Sequence, residues 1–154
     1  MKLKYLLSVC GLICAPAIAS AASWQTFAVP ETGASVQIPT SIFTEDGGKS
    51  PMGYGRRFLT TDRRADLTVQ SLPNDTRDSP AVFLAKKQPP ANIVYQKITP
   101  RFFVVSSFRN DKIWYNRCNF AGATITCILI NYPAAEKRQW DNVVTRISNT
   151  MASR

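Results

Sequence analysis

The sequence predicts an α+β fold, an antiparallel β-sheet with a short mid-chain helix and an amphipathic C-terminal helix packed on it as an α/β/α sandwich. One observation is that short runs of β-branched and aromatic residues, separated by turn residues, recur from Trp24 to Tyr132. A second is that the residues after Tyr132 change to the 3.6-residue apolar spacing of a helix. Two strand pairs, a helix, four strands and a final helix are an order typical of this class.

The first two strand pairs are marked by turn residues. Residues 24–29 and 35–39 are β-type runs separated by the turn cluster 30–33, which predicts an opening strand pair. Residues 44–55 follow, with four glycines and one proline, and are predicted to be a polar loop. Residues 57–61 and 65–72 then predict a second hairpin, turned at 62–64.

The mid-chain helix is predicted at residues 81–87, because Ser79 is a good N-cap, Pro80 suits the first helical position, and a proline pair follows the segment. Four consecutive strands are predicted at 93–99, 102–108, 113–120 and 124–132, which form an antiparallel meander. The final helix begins at Pro133 and carries a core-facing apolar stripe. The stripe consists of Trp140, Val143, Val144, Ile147 and Met151.

The N-terminal residues 1–22 have the pattern of a secretory signal peptide. Lys2 and Lys4 precede an apolar run, and small residues follow up to Ala22. The apolar run is shorter than the roughly 20 residues that a membrane span needs, although an uncleaved anchor is the alternative. We therefore expect cleavage near Ala22, a single domain at 23–154, no transmembrane anchor after cleavage, and a periplasmic or secreted location.

Composition restricts the function classes. The chain has 154 residues and no His, which excludes Ser-His-Asp triads, Cys-His nucleophiles and imidazole-ligated zinc or haem. No cofactor and no metal site are indicated. Loss of Lys2 and Lys4 with the signal peptide lowers the basic count from 19 to 17 against 10 acidic residues, and the net charge from +9 to +7. The mature chain is thus basic.

Cleavage would also leave two cysteines, Cys118 and Cys127, on neighbouring strands of the meander. A two-residue type II′ loop that starts at Gly122 pairs Ala121 with Thr124 and places the cysteines opposite each other at a non-hydrogen-bonded pair. The short Cα–Cα distance at such a pair suits a disulfide, and the two cysteines of an exported protein would be oxidised to form it. The alternatives are two free thiols or a redox-active pair. The spacing of the two cysteines is not the CxxC spacing that is typical of redox-active pairs.

A basic cluster is the main functional lead. Four arginines, with Tyr54 beside them, fall on the strands and tip of the second hairpin, namely Arg56, Arg57, Arg63 and Arg64. Arginine is suited to bidentate capture of phosphate or carboxylate, which predicts an anion-binding site. The alternative is a solvated hairpin partly neutralised by Asp62 and Asp66. The expected partner is an acidic protein or an anionic envelope component, and not nucleic acid, because the protein is exported.

Enzyme function is the competing hypothesis, as a hydrolase that uses carboxylates. The candidate pairs are Glu45 with Asp46, Asp62 with Asp66, and Asp75 with Asp78. All three lie in or beside predicted turns, where Asp is favoured for local hydrogen bonds. The segments Gly48-Lys49-Ser50 and Gly53-Tyr54-Gly55 lack the context of nucleotide-binding motifs and are interpreted as a loop and a turn. We therefore favour a binding module, and name no catalytic residue.

The chain resembles the PsbP/Mog-type α/β/α domains. The resemblance rests on the mid-chain helix, the meander, the C-terminal helix and the opening pattern Phe27-x-x-Pro30-x-x-Gly33-x-x-Val36-x-Ile38-Pro39. It implies a binding or assembly role, since familiar members are a photosystem II extrinsic subunit and a partner of the Ran GTPase. It transfers no functional residue. The chain is also similar to small exported proteins of alphaproteobacteria, a likeness that implies location and no activity.

Overall fold

A computed structural model describes residues 23–153, and the predicted signal peptide lies outside the described residues. The strands are β1 (Trp24–Ala28), β2 (Ser35–Pro39), β3 (Phe43–Lys49), β4 (Tyr54–Thr60), β5 (Asp66–Pro73), β6 (Asn92–Ile98), β7 (Phe102–Arg109), β8 (Lys112–Ala121) and β9 (Thr124–Pro133). The helices are α1 (Pro80–Lys87) and α2 (Lys137–Asn149), the second preceded by a 3-10 turn at Ala134–Glu136. This confirms the α+β class.

Seven strands form one antiparallel sheet in the order β3-β4-β5-β9-β8-β7-β6, and β1 and β2 form a separate pair. Strand β9 therefore lies at the centre, between β5 and β8, although it is last in the chain. Strands β3 and β6 are the two edges. On the outer side of each edge strand, the backbone N–H and C=O groups have no strand partner.

The main hydrophobic core lies between one face of the sheet and the layer formed by α2 and the β1-β2 pair. The final helix begins at Lys137 and not at Pro133 as predicted, because Pro133 is the last residue of β9 and a 3-10 turn follows it. Of the predicted stripe, Trp140, Val144 and Ile147 are buried, and Val143 packs against the same core. Met151 lies beyond the end of α2 at Asn149 and packs against the margin of this core. These side chains meet alternate residues of the central strands, as the two-residue period of a strand requires. The sheet residues in this core include Leu67, Val69, Ile113, Ile128, Ile130 and Tyr132.

The opposite face of the sheet holds a smaller core under α1. Phe83 and Leu84 of this helix pack on Phe103, Ile125 and the two cysteines. The result is helices on both faces of the sheet, as the α/β/α arrangement predicts.

The predicted polar loop at 44–55 is wrong for most of its length, because β3 runs to Lys49 and β4 begins at Tyr54. Strand β3 lacks a clear apolar alternation, since it contains Glu45, Asp46 and two glycines. It needs only one partner as an edge strand, and it pairs with β4 through two register shifts. Ion pairs from Asp46 to Arg56 and from Glu45 to Arg63 also stabilise this pairing. Each pair joins residues that are at least ten positions apart, so the local sequence pattern does not predict it.

The start of α1 follows the predicted capping chemistry. The hydroxyl of Ser79 accepts a hydrogen bond from the Val82 backbone N–H at 3.3 Å, and Pro80 occupies the first turn. We expect Ser79→Ala to lower the free energy of unfolding by about 1 kcal/mol, because that N–H loses its partner. Urea unfolding would measure the loss, and Ser79→Asp, which restores an acceptor, should recover most of it. Equal loss in both variants would contradict the capping role.

Candidate functional site

A concave site of about 610 Å³ lies at the β3-β4 end of the sheet, and we call it the Tyr54 concavity. One wall is β1 with its turn, which contributes Phe27, Ala28, Pro30 and Glu31. The other wall is Lys49 at the end of β3 together with residues 53–56. The two walls meet because the Phe27 ring packs edge-on against Phe58 of β4, with ring centroids 5.1 Å apart.

Two glycines hold Tyr54 at the rim. At Gly55, where φ is +125°, an added Cβ would lie 2.1 Å from the carbonyl oxygen of Val69, and Gly53 is similarly crowded by Ser71. Only residues without a Cβ allow the chain to approach β5 this closely. The Ser50 N–H donates to the Gly55 carbonyl and closes the turn. Tyr54 is consequently displayed between the glycines and is 47% exposed.

The concavity has two cationic side chains on adjacent strands. Lys49 and Arg56 are cross-strand partners in the β3-β4 register. Arg56 binds Asp46 at 3.0 Å, and both side chains of that pair are about half exposed. Within residues 23–153, Lys49 has no carboxylate within 4.0 Å. Glu31 is the carboxylate in the opposite wall.

The structure brings Tyr54 and Arg56 together but places the other three arginines elsewhere. Arg57 follows Arg56 in the strand, so it points to the opposite face of the sheet, where it binds Asp66 at 3.2 Å. Arg63 and Arg64 lie at the hairpin tip, beyond the other end of β4. Arg63 binds Glu45 at 3.2 Å, and Arg64 binds Glu136 and Asp62. Each of the four predicted arginines therefore already has a carboxylate partner.

Sequence reasoning missed Lys49, Phe27 and Glu31 as neighbours of Tyr54. The sequence predicts a loop at Lys49, whereas the structure places this residue at the end of β3. The β1 wall is brought to β4 by tertiary packing. The β-type residues at 24–29 and the turn cluster after them predict the strand, but they do not indicate where it docks.

The predicted disulfide is present. Cys118 and Cys127 face each other in the β8-β9 register and are bonded, with their Cα atoms 4.1 Å apart. Gly122 has a φ of +57° at the first position of the connecting loop, as a type II′ turn requires. Both half-cystines are fully buried beneath α1. This burial agrees with a structural role, because an exchanging thiol needs access to its partner.

Two of the carboxylates proposed for a hydrolase, Asp62 and Asp78, have pKa values that hydrogen bonds lower. The pKa of Asp62 is lowered because its carboxylate accepts hydrogen bonds from the Thr60 hydroxyl and the Arg64 backbone N–H. The pKa of Asp78 is lowered by the hydrogen bond from the Lys86 ammonium at 2.6 Å. A carboxylate with a lowered pKa is a poor general acid at neutral pH. Asp75 and Asp78 do line one cavity of about 820 Å³ beside the start of α1.

Two further findings concern the described part of the chain alone. Its helices are all too short or too polar to cross a bilayer. Among the same residues, no three carboxylate or cysteine side chains are grouped so that they would hold a metal ion.

Comparison with known proteins shows the fold. No family model matches the chain, and no curated protein matches it in sequence. The solution structure of cyanobacterial PsbP (CyanoP) from Synechocystis sp. PCC 6803 is similar, with a TM-score of 0.63 over 94% of this chain and 100% of that chain. The sequence identity is 8%, so the likeness is one of fold alone. The chain has a PsbP-like fold, which confirms the fold expected from the sequence resemblance.

Proposed function

We propose that this PsbP-like chain is an exported, non-enzymatic binding or assembly module that holds an anionic envelope partner at the Tyr54 concavity. The observation that carries the proposal is a hollow in which two cations, Lys49 and Arg56, lie beside an exposed tyrosine. A binding or assembly role is also what the resemblance to PsbP/Mog-type domains implies. The signal-peptide pattern of residues 1–22 supports a periplasmic or secreted location for this module.

The chemistry of the concavity suits a phosphate or carboxylate. The Lys49 ammonium has no carboxylate within 4.0 Å in the described residues, so an incoming anion meets an uncompensated charge. The Arg56-Asp46 pair is half exposed and thus worth at most about 1 kcal/mol, which a ligand anion can compete for. Tyr54 and Phe27 supply an apolar wall and a phenol hydroxyl. The net charge of +7 on the mature chain draws anions toward the site.

The proposal is tested with defined anions. Binding to phosphatidylglycerol vesicles represents a lipid phosphate, and binding to poly-L-glutamate represents an acidic protein. We expect the double variant Lys49→Ala/Arg56→Ala to bind its preferred probe about tenfold more weakly, and Tyr54→Ala about threefold more weakly. Both effects should shrink as salt rises from about 0.05 to 0.3 M, because salt screens exposed charges.

The matched control is Arg138→Ala, which removes one positive charge from the exposed side of α2. It should change the affinity less than twofold. If the double variant binds both probes as tightly as the native chain, the Tyr54 concavity is not the binding site.

The alternative of a carboxylate-dependent hydrolase has weaker support. Glu45, Asp46, Asp62, Asp66 and Asp78 each lie within 4.0 Å of a Lys or Arg nitrogen, so these carboxylates already have partners within the chain. An acid and base pair needs two carboxyl groups with different pKa values facing one substrate.

A further inference from the structure

The second edge of the sheet, β6, is exposed along its whole length. All seven of its residues are exposed, and four of them are large apolar residues that are each at least 40% exposed. These four are Ile93, Val94, Tyr95 and Ile98. An edge strand of this kind leaves backbone N–H and C=O groups free to pair with another strand.

The two edges of the sheet differ in how they discourage such pairing. Strand β3 carries Glu45 and Asp46, two glycines and two register shifts, all of which disfavour an added strand. Strand β6 carries a single charge, Lys97, and a single register shift between Ile93 and Tyr95. The β6 edge is therefore the one suited to accept a strand.

Positive charge is also concentrated in the half of the sheet that ends at β6. Strands β3, β4 and β5 contain three cationic and three acidic residues, so that half of the sheet is balanced. Strands β6, β7 and β8 contain four cationic residues and no acidic residue. The four are Lys97, Arg109, Lys112 and Arg117. The arginine-rich hairpin is thus neutralised in place, whereas the positive charge next to β6 is not.

Two of these cations are held beside the edge by one aromatic ring. Lys97 and Arg117 both pair with Val104 in the registers on either side of β7. The Lys97 Nζ and the Arg117 Cζ lie 5.7 and 5.0 Å from the centroid of the Phe102 ring. Within the described residues, neither cation has a carboxylate within 4.0 Å.

Arg117 is fixed in position by further contacts. Its Nε donates to the Asn119 Oδ1, and its Nη1 donates to the Ser148 Oγ of α2, both at 3.1 Å. Arg117 is thus a fixed positive charge two strands inward from the edge, whereas Lys97 is the exposed cation on β6 itself.

A groove runs between β6 and α2 on this same face. It has a volume of about 380 Å³, with Ser106 and Tyr115 among the sheet residues that line it and Val144 on the α2 side. Val94 and Tyr95 line it from β6. A groove of this size beside an exposed edge has room for an apolar side chain of an added strand.

We propose that β6 accepts an extended acidic segment of a partner protein as an eighth strand of the sheet. Alternate residues of an added strand lie on one face, so its acidic side chain would lie beside Lys97, while the residue two positions away enters the groove beside Tyr95. Arg117, two strands further inward, adds to the positive potential on that face. The site therefore selects an acidic residue and an apolar residue at i and i+2. A second copy of this chain is a worse occupant, because pairing β6 with itself would bring two cationic edges together.

This surface is distinct from the Tyr54 concavity. Strand β6 is five strand positions from β4, or about 25 Å across the sheet. The two sites are therefore distinguished by separate variants, Lys49→Ala at the concavity and Lys97→Glu at β6, and by slower hydrogen exchange in β6, which only strand pairing there would give.

The test uses a synthetic peptide with a Glu-Thr-Val-Thr repeat, about 12 residues long so that it spans β6. A matched peptide has Lys in place of Glu. We expect the Glu peptide to bind and to slow hydrogen exchange of backbone amides in β6, as a new strand pairing requires. The variant Lys97→Glu should weaken binding about tenfold, whereas Lys49→Ala at the Tyr54 concavity should leave it within twofold. Lys97 is exposed, and an unchanged melting temperature would show that its variant is folded.

Several results would overturn the proposal. The Glu peptide would show no binding, or its binding would be unaffected by Lys97→Glu or matched by the Lys peptide. Binding without slower exchange in β6 would mean adsorption to a charged surface. Sedimentation of the peptide-free protein as a dimer with β6 already protected would identify a second copy as the occupant.

Discussion

Replacing Gly55 with alanine is expected to lower the free energy of unfolding by about 3 kcal/mol. The new Cβ would lie 2.1 Å from the Val69 carbonyl oxygen, which belongs to the backbone of β5 and cannot move without breaking the sheet register. The φ of +125° adds strain of its own, because residues with a Cβ rarely adopt it. Urea unfolding followed by far-UV circular dichroism would measure the loss.

The control for this substitution is Gly122→Ala in the β8-β9 loop. Its φ is also positive, at +57°, but an added Cβ there would meet no atom within 4 Å. Only the backbone strain remains, so we expect a cost of about 1 kcal/mol. Similar losses at the two glycines would show that crowding against β5 is not what Gly55 relieves.

Gly55→Ala also connects the fold to the proposed site. Any shift that relieves the clash moves Tyr54, the adjacent residue at the rim of the concavity. We therefore expect the variant to lose affinity for its anionic probe at temperatures where it is still folded.

Removal of the disulfide is expected to cost about 2 to 3 kcal/mol and about 10 °C in melting temperature. Cys118 and Cys127 are nine residues apart, so the bond closes a short loop and restricts the unfolded chain only moderately. The double variant Cys118→Ala/Cys127→Ala leaves no thiol in residues 23–154, and thermal unfolding of that part of the chain without reductant would measure the loss.

Two checks accompany the disulfide prediction. Reduction of the native protein should give a loss close to that of the double variant, whereas reductant should leave the double variant unchanged. The intact mass should lie below the dithiol value by one pair of hydrogens, with alkylation only after reduction. Two alkylated thiols in the unreduced exported protein would contradict the prediction.

The parts of the fold that were predicted correctly depend on local signals. The start of α1 needs only Ser79 and Pro80, and the apolar face of α2 needs only residues three and four apart. The cysteine pairing needs only the loop type at Gly122, because a hairpin register is set by its turn. Strand β3 was missed because its glycines and acidic residues hide the alternation, and its pairing partners come from β4.

The candidate sites show the same division. Tyr54 and Arg56 were predicted together because they are two residues apart in the chain, whereas Lys49 meets them through the β3-β4 register. Carboxylates from β3, β5 and the 3-10 turn neutralise the other arginines. The number of basic residues in a segment therefore does not show which of them lack a carboxylate partner. The Lys97-Phe102-Arg117 cluster spans three strands and has no sequence signature.

The sequence by itself determined the α+β class, the start of α1 at its Ser79 cap, and the pairing of Cys118 with Cys127. Those features arise from turn chemistry, capping and periodicity, which act between residues close in the chain. Only the tertiary structure decided that β9 lies between β5 and β8, that β6 is an exposed edge, and which cations have carboxylate partners. Strand order and ion pairing join distant residues, and their outcome depends on how the whole core packs.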